Sequence, residues 1–484
     1  MANQTESYPN DRGKKEDKIS VLSGPTGLRL RFARLEISSG IDGWGRTMIR
    51  VPKAASFGFA LAISASSIFA LIYGSLGLNG YGAFTASYLS LTVIMIAVFG
   101  SLEGFRFSIL DIPVLTLIAC AGISLSRNPQ QIEFRELVLL GLTVTAYFAG
   151  RSLVKEDVPV LRAVCFWISL AILSVGTALT VPYLVLHGEL GRPFVLGFDN
   201  ATTAFSVSLG ILVILLLSSE YRSPTWVRNV LVPLIAFSMA VFAASMVRFS
   251  LLAIMVCTAL SALLLKQQRR FALSMLAILV ASTAFGLLAR FDNANLYVRY
   301  AIEGARGEVS PGGISSATIL PPSYAARRNP EATTADCESV NTRNSIAIRK
   351  QLISDATNLI PRAGLFGFGF MSFGRLGCFE GASPHNDLLQ AFVEFGWMGG
   401  AAFLTLIALI PLLLIKPARF DGDLRFVFLL NAFMIMLSMA YGQIGRDLPL
   451  FLVLGLAVSV LSSNDGSAAS RVRFHMLKWG TGPK

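Results

Sequence analysis

Charge is what this sequence has least of. Asp, Glu, Lys and Arg together fill 14% of 484 positions, about half the share usual in water-soluble chains. Histidine occurs three times and cysteine five times. No Gly-rich turn leads into Lys and Ser or Thr, no Asp or His pair sits at ligand spacing, and no DxD-type acidic pair occurs in the segments assigned below to the outer side. Nucleotide hydrolysis, nucleotide-sugar donors, metals and other cofactors are therefore not expected. The first 53 residues hold no apolar stretch resembling a cleavable signal peptide. They are polar and basic, with Lys14, Lys15, Lys18, Arg29, Arg31 and Arg34 among them. Such a tail is expected to stay cytoplasmic beside anionic lipid. The net charge of +12 lacks an aromatic-interleaved basic domain, which argues against nucleic-acid binding.

What is present is apolar. Hydrophobic residues make up 54% of the chain and the mean hydropathy is +0.61, more apolar surface than a water-soluble fold can hide. Windows of about 18 to 25 residues recur, each long enough to cross a hydrocarbon core of about 30 Å. They predict an all-α polytopic membrane protein of about twelve helices. Nine lie within residues 54–289, a large outer loop covers residues 290–386, and three more helices lie within 387–463 before a cytoplasmic tail at 464–484. Short inner loops carry Arg106, Arg151 with Lys155, Arg222 with Arg228, Lys266 with Arg269, and Lys416 with Arg419, as the positive-inside rule requires. Both termini are thereby assigned to the cytoplasm.

The outer loop changes character along its length. Gly304 to Asp336 is rich in Pro, Gly, Ser and Thr and reads as an irregular surface segment. From Arg343, the residues Ile346, Ile353, Ala356 and Ile360 recur at helical spacing opposite Arg349, Lys350 and Asp355, and Pro361 stops the run. An amphipathic helix of this kind lies either on the membrane surface or on the bundle. Cys337 and Cys378 both fall in this loop. In an oxidising compartment they are expected to pair, closing about forty residues and adding roughly 4 kcal/mol in the chain-entropy account; two free thiols are the alternative.

Polar groups at the bilayer rim are where chemistry would show. His385 stands at the junction of loop and helix in SPHNDLLQAFVEFGWMGG, and Asn386, Gln390 and Glu394 follow at i, i+4 and i+8 along one stripe. Such a stripe faces a bundle interior or a wet cavity rather than lipid. The histidine is either a proton-transfer group or a hydrogen bonder at a helix start. Arg192, in GELGRPFVLGFDN just before Asn200, and Arg248, between two apolar windows, stand at the same predicted rim. They either snorkel to headgroups or converge on a polyanion, since guanidinium binds phosphate oxygens bidentately. Gly364, Gly367, Gly369 and Gly374 read as a flexible approach to the histidine.

The order RNSIAIRKQLISDATNLIPRAGLFGFGFMSFG followed by PHNDLLQAFVEFGWMGG resembles the signature region of the O-antigen ligase and polysaccharide polymerase-like membrane proteins. The matching positions are Arg343, Gly367, Gly369, His385, Asn386, Leu389 and Glu394, with Arg192, Asn200 and Arg248 upstream. Val247 departs from the pattern, where Ser ordinarily precedes the arginine. The resemblance implies a GT-C-like enzyme of the bacterial inner membrane. It would transfer glycan from an undecaprenyl-pyrophosphate carrier to an acceptor glycan or lipid A core at the periplasmic face, with inversion and without a metal. His385, Arg248 and Arg192 would be catalytic, Arg343, Asn200, Asn386 and Glu394 would bind substrate, and Glu394 or Asn386 would support the imidazole. A chain-length regulator and a flippase are candidate partners. Polymerisation of exopolysaccharide or O-antigen is preferred over ligation, and a polysaccharide export component without catalysis is the competing reading.

Overall fold

A computed structural model describes residues 52–76, 82–101, 107–127, 133–186, 193–198, 200–219, 225–264, 268–306 and 345–478. Among them the fold is all-helical, and one isolated bridge pairs Val195 with Phe198. The first helices are α1 (Pro52–Ile63), α2 (Ala65–Leu76), α3 (Ala83–Phe99), α4 (Ile112–Arg127), α5 (Phe134–Arg151) and α6 (Val158–Leu186). There follow α7 (Ala201–Ser218), α8 (Thr225–Ala244), α9 (Phe249–Leu264), α10 (Arg269–Ala289) and α11 (Phe291–Arg306). The last are α12 (Ser345–Leu359), α13 (Phe373–Leu376), α14 (Asp387–Glu394), α15 (Gly396–Ala418), α16 (Gly422–Tyr441) and α17 (Leu448–Lys478).

Six of these helices are long and apolar enough to cross a membrane, and a seventh span forms if α1 and α2 are one helix bent by 69°. The bend coincides with the serine-rich run Ser64 to Ser67, where the Ser67 hydroxyl donates to the Ala204 carbonyl of α7 at 2.6 Å. Helix α7 is the axis of the bundle, with 83% of its apolar window buried, whereas α10, at 22%, is peripheral. Exposed apolar side chains such as Leu91, Ile94, Val280, Phe285 and Leu412 cover the outside of the bundle, as lipid in place of water demands. The chain is a polytopic membrane protein. Helices α5 and α17 touch backbone to backbone through Gly150 and Gly455: a Cβ on either would run into the partner's carbonyl, at Leu452 and Tyr147 respectively. Small residues at such crossings let helices pack where no hydrophobic drive exists between them.

The two ends of the bundle are distinct. At one end the α5–α6 and α15–α16 turns are joined by Lys155–Asp421 (2.7 Å) and Arg162–Asp423 (2.6 Å). Lys155 and Asp421 are each about one-third exposed, so water screens the pair. Lys155→Met should therefore shift stability by less than ~1 kcal/mol, checked by thermal unfolding in detergent. The opposite end carries α12 to α14 and the α16–α17 turn.

Several boundaries differ from the sequence reading. The apolar window expected near Leu388–Ile415 is two helices, α14 and α15, parted at Gly396, whose φ of +74° no regular helix contains. Helix α11 continues the chain past α10 where no spanning window existed, and α17 runs to Lys478, past the expected end near residue 463. The amphipathic loop helix exists as α12, and it resolves the earlier choice by packing on the protein. Its buried residues are Leu352, Ala356 and Leu359, in a second core with Phe373, Phe379 and Val393. Ile353, expected on the buried face, is 47% exposed; the buried stripe is rotated by one position.

Candidate functional site

Arg248 reaches the site from the tight turn between α8 and α9. That turn is closed by Met246 N–H donating to Ala243 O (2.9 Å) and Val247 N–H to Phe242 O (3.1 Å), which forces Met246 to a φ of +60°. The Arg248 carbonyl then accepts from Leu252 N–H at 2.9 Å, so the arginine sits at the very start of α9. His385 is held in a similar way. It adopts a φ of +51°, a left-handed conformation costing a non-glycine residue about 1–3 kcal/mol. The next residue, Asn386, caps α14 by accepting from Leu389 N–H (3.0 Å), and its Nδ2 donates to the Met439 carbonyl of α16 (3.2 Å).

Between these two residues lies a cavity of about 360 Å³, lined also by Phe249, Arg349, Lys350 and the α16 end at Met439 and Ala440. Among the described residues, every charged one on its wall is cationic: Arg248, Arg349 and Lys350. Arg349 comes from α12 and is fixed by aromatic rings, its guanidinium 4.9 Å from the Phe249 centroid and 5.7 Å from that of Tyr441. Such cation–π contacts contribute about 0.5–2 kcal/mol each, and Arg349 Nη1 also donates to Ala440 O at 3.4 Å. His385 presents surface to the cavity. Desolvation by the protein around the recess, and secondarily the Arg349 charge, hold its pKa below the ordinary 6.5, which favours the neutral form that accepts a proton.

Residues 233–404, from α8 into α15, match the O-antigen ligase family. This stretch is similar to an O-antigen ligase domain. No curated protein and no solved structure matches the chain. The matched stretch holds Arg248, Arg349, Lys350 and His385, while Met439 and Ala440 close the cavity from α16, beyond the matched residues.

The Gly-rich loop of the matched stretch is pinned rather than flexible. Phe368 N–H donates to Val393 O (3.0 Å) and Gly369 N–H to Glu394 O (3.2 Å), while Trp397 N–H donates back to Gly364 O (3.0 Å). Gly367 and Gly396 pass so close that a Cβ on either would overlap the other's backbone, and both have left-handed φ, +75° and +74°. The Glu394 carboxylate accepts from Gln390 Nε2 (3.1 Å) and from the backbone N–H groups of Met371 and Phe373. Its burial is the larger influence and carries its pKa up to about 7.

Of the residues singled out in the sequence, Arg248, His385 and Asn386 share the cavity. Glu394 does not line it: this side chain organises the Gly-rich loop, and no hydrogen bond joins it or Asn386 to the imidazole, contrary to the expected support. Asn200 is exposed at the start of α7, away from the cavity wall. Arg192, Arg343 and Cys337 lie outside the described residues. Cys378 is buried and disulfide-bonded, and Cys120, Cys165 and Cys257 are free. Sequence reasoning placed Arg349 and Lys350 on a polar helix face without assigning them to the site. Their signal was position alone, since they sit one helical turn past Ile346, which also faces the cavity.

Proposed function

We propose that this cavity is the periplasmic transfer site of an inner-membrane glycosyltransferase. It would move glycan from an undecaprenyl-pyrophosphate carrier to an acceptor hydroxyl, with inversion and without a metal, in O-antigen or exopolysaccharide assembly. The observation that carries this reading is the set of cations, Arg248, Arg349 and Lys350, that are the charged residues of the wall among those described, beside the His385 imidazole. In the reaction, the acceptor oxygen bonds to the anomeric carbon as the carbon–oxygen bond to pyrophosphate breaks. The electron pair leaves on the pyrophosphate, where preorganised cations stabilise it, and the hydroxyl proton passes to His385. Arg192 and Arg343 are proposed to add to the cation set, and Asn200 to the binding of substrate. Cys337 is the proposed disulfide partner of Cys378. If the bent α1–α2 pair and α3, α5, α8, α9 and α17 are counted with the six longer spans, the crossings number twelve; an even number leaves both termini on one side, proposed to be the cytoplasm. Polymerisation is preferred over ligation to lipid A core.

The test is reconstitution in proteoliposomes with a lipid-pyrophosphate oligosaccharide. Lengthened lipid-linked chains support polymerisation, transfer to lipid A core supports ligation, and the absence of both overturns the proposal. The pH profile provides a finer check. Because neutral His385 is the competent form, activity is present above its pKa and lost as pH falls through it. Arg349→Gln removes the secondary cause of the lowered pKa, so its acid limb should move upward, toward 6.5, in a normalised profile.

A further inference from the structure

Two residues past His385, Asp387 opens α14 with its side chain fully buried, at 0% exposure. Neither of its carboxyl oxygens accepts a hydrogen bond from any N–H or hydroxyl. Its partner is another carboxyl, that of Asp447 in the α16–α17 turn. Asp447 as a residue is half-buried, with its Oδ2 enclosed, and it uses one bond to cap α17, accepting from Leu450 N–H. Its Oδ2 likewise has no donor of that kind. Ionised carboxylates only accept, so a hydrogen bond between two of them requires a proton on one. Two buried negative charges in contact are excluded on electrostatic grounds as well.

We propose that Asp387 and Asp447 share one proton and that this proton latches the α14 start to the α16–α17 turn, making both aspartates positioning residues for the transfer reaction. The extension to transfer rests on the glycosyltransferase reading of the cavity. The latch is placed where it matters. It clamps the residue next to Asn386, whose cap and bond to Met439 fix the path of the strained His385 backbone. The end of α16 packs closely on the Asp387 side of the pair, since a Cβ on Gly442 would overlap the Asp387 carboxyl. The ionisable groups facing the pair are few. Glu394, on α14 itself, adds negative charge. The neighbouring cation Arg446 is already committed to Glu136 of α5, donating through Nε at 3.0 Å.

Burial first, then Asp447 and Glu394, raise the Asp387 pKa, and burial raises that of Asp447 to about 6. Acids that titrate higher when folded than when unfolded stabilise the fold below those folded pKa values and cease to do so as pH rises through them. The latch therefore fails on the alkaline side. An amide at either position supplies a permanent N–H donor in place of the proton.

The experiment compares the full-length wild type, Asp387→Asn, Asp447→Asn and Asp387→Ala in nanodiscs, measuring thermal midpoint and glycan-transfer rate from neutral to alkaline pH. The wild-type midpoint and rate should both fall as pH rises. Both amide variants should hold a flat midpoint, transfer within roughly threefold of wild type at neutral pH, and lack the alkaline limb. Asp387→Ala should lose roughly tenfold or more in kcat at every pH. Midpoints of both amide variants that track the wild type overturn the shared proton. Flat midpoints with an unmoved alkaline limb in the rate, or an Asp387→Asn rate no better than that of Asp387→Ala, overturn the positioning role. Should Asp387→Asn fail to fold, Asp447→Asn decides the same questions. A folded wild type without transfer activity overturns the glycosyltransferase reading instead, and the midpoint profiles still decide whether the proton is shared.

Discussion

His385→Ala is expected to lower the rate of glycan transfer by roughly 10²- to 10⁴-fold, the range supplied by a positioned general base, while the chain still inserts and unfolds at the wild-type temperature. The two expectations belong together. The imidazole makes no hydrogen bond to Asn386 or Glu394, and the His385 φ of +51° is a local strain that Ala bears no better. Stability should therefore change little while chemistry collapses. His385→Gly relieves the backbone strain yet removes the base, so it should be at least as stable as the alanine variant and equally inactive. Turnover in proteoliposomes and melting in detergent provide the check. Transfer by His385→Ala at the wild-type rate would dismiss the imidazole as proton acceptor and leave the cation wall as a binding surface only.

Gly396→Ala should fail in the opposite manner, losing the folded outer layer and with it all activity. At a φ of +74° a side chain costs about 1–2 kcal/mol, and here the added Cβ would also overlap the Gly367 amide and the Leu365 carbonyl. Backbone cannot yield as a flexible side chain does. The substitution must therefore break the hydrogen bonds of the Gly-rich loop, among them Phe368 to Val393 and Trp397 to Gly364. A combined loss of more than ~4 kcal/mol falls among the severest single-residue effects. The check is accumulation in the membrane together with protease cleavage of the segment from Gly364 to Phe395. Wild-type resistance to protease would contradict the crowded crossing. Gly364, at a φ of +65° with open space where a Cβ would sit, should tolerate Ala far better and is the matched control.

The membrane helices were readable because lipid imposes one requirement on all of them, a long uncharged window. Arg248 and His385 were readable as rare polar groups at the ends of such windows. Arg349 was not, because an arginine on the polar face of an amphipathic helix is ordinary until Phe249 and Tyr441, distant in sequence, close around it. The same reason hid the carboxyl pair. Asp387 reads as a favourable first-turn acid of a helix and Asp447 as the residue before another, and only their meeting makes either unusual. Glu394 was recognised as a polar residue kept out of lipid, but periodicity shows the face on which a side chain lies and not the loop that folds over it. Gly367 drew attention as one of several glycines and Gly396 did not, and a pattern of glycines signals freedom as readily as confinement. Their close approach depends on two segments about thirty residues apart.

The second core, built from Leu352, Ala356, Leu359, Phe373, Phe379 and Val393, makes the layer above the bundle a cooperative unit with its own opening free energy. Amides in α12 can exchange with solvent through local opening while those of α7 await global unfolding. Arg349 rides on the first of these elements and Arg248 on the bundle, so the cations meet across the cavity only while α12 stays packed. A polyanion that binds across the cavity draws the population toward that packed state by its preferential affinity for it.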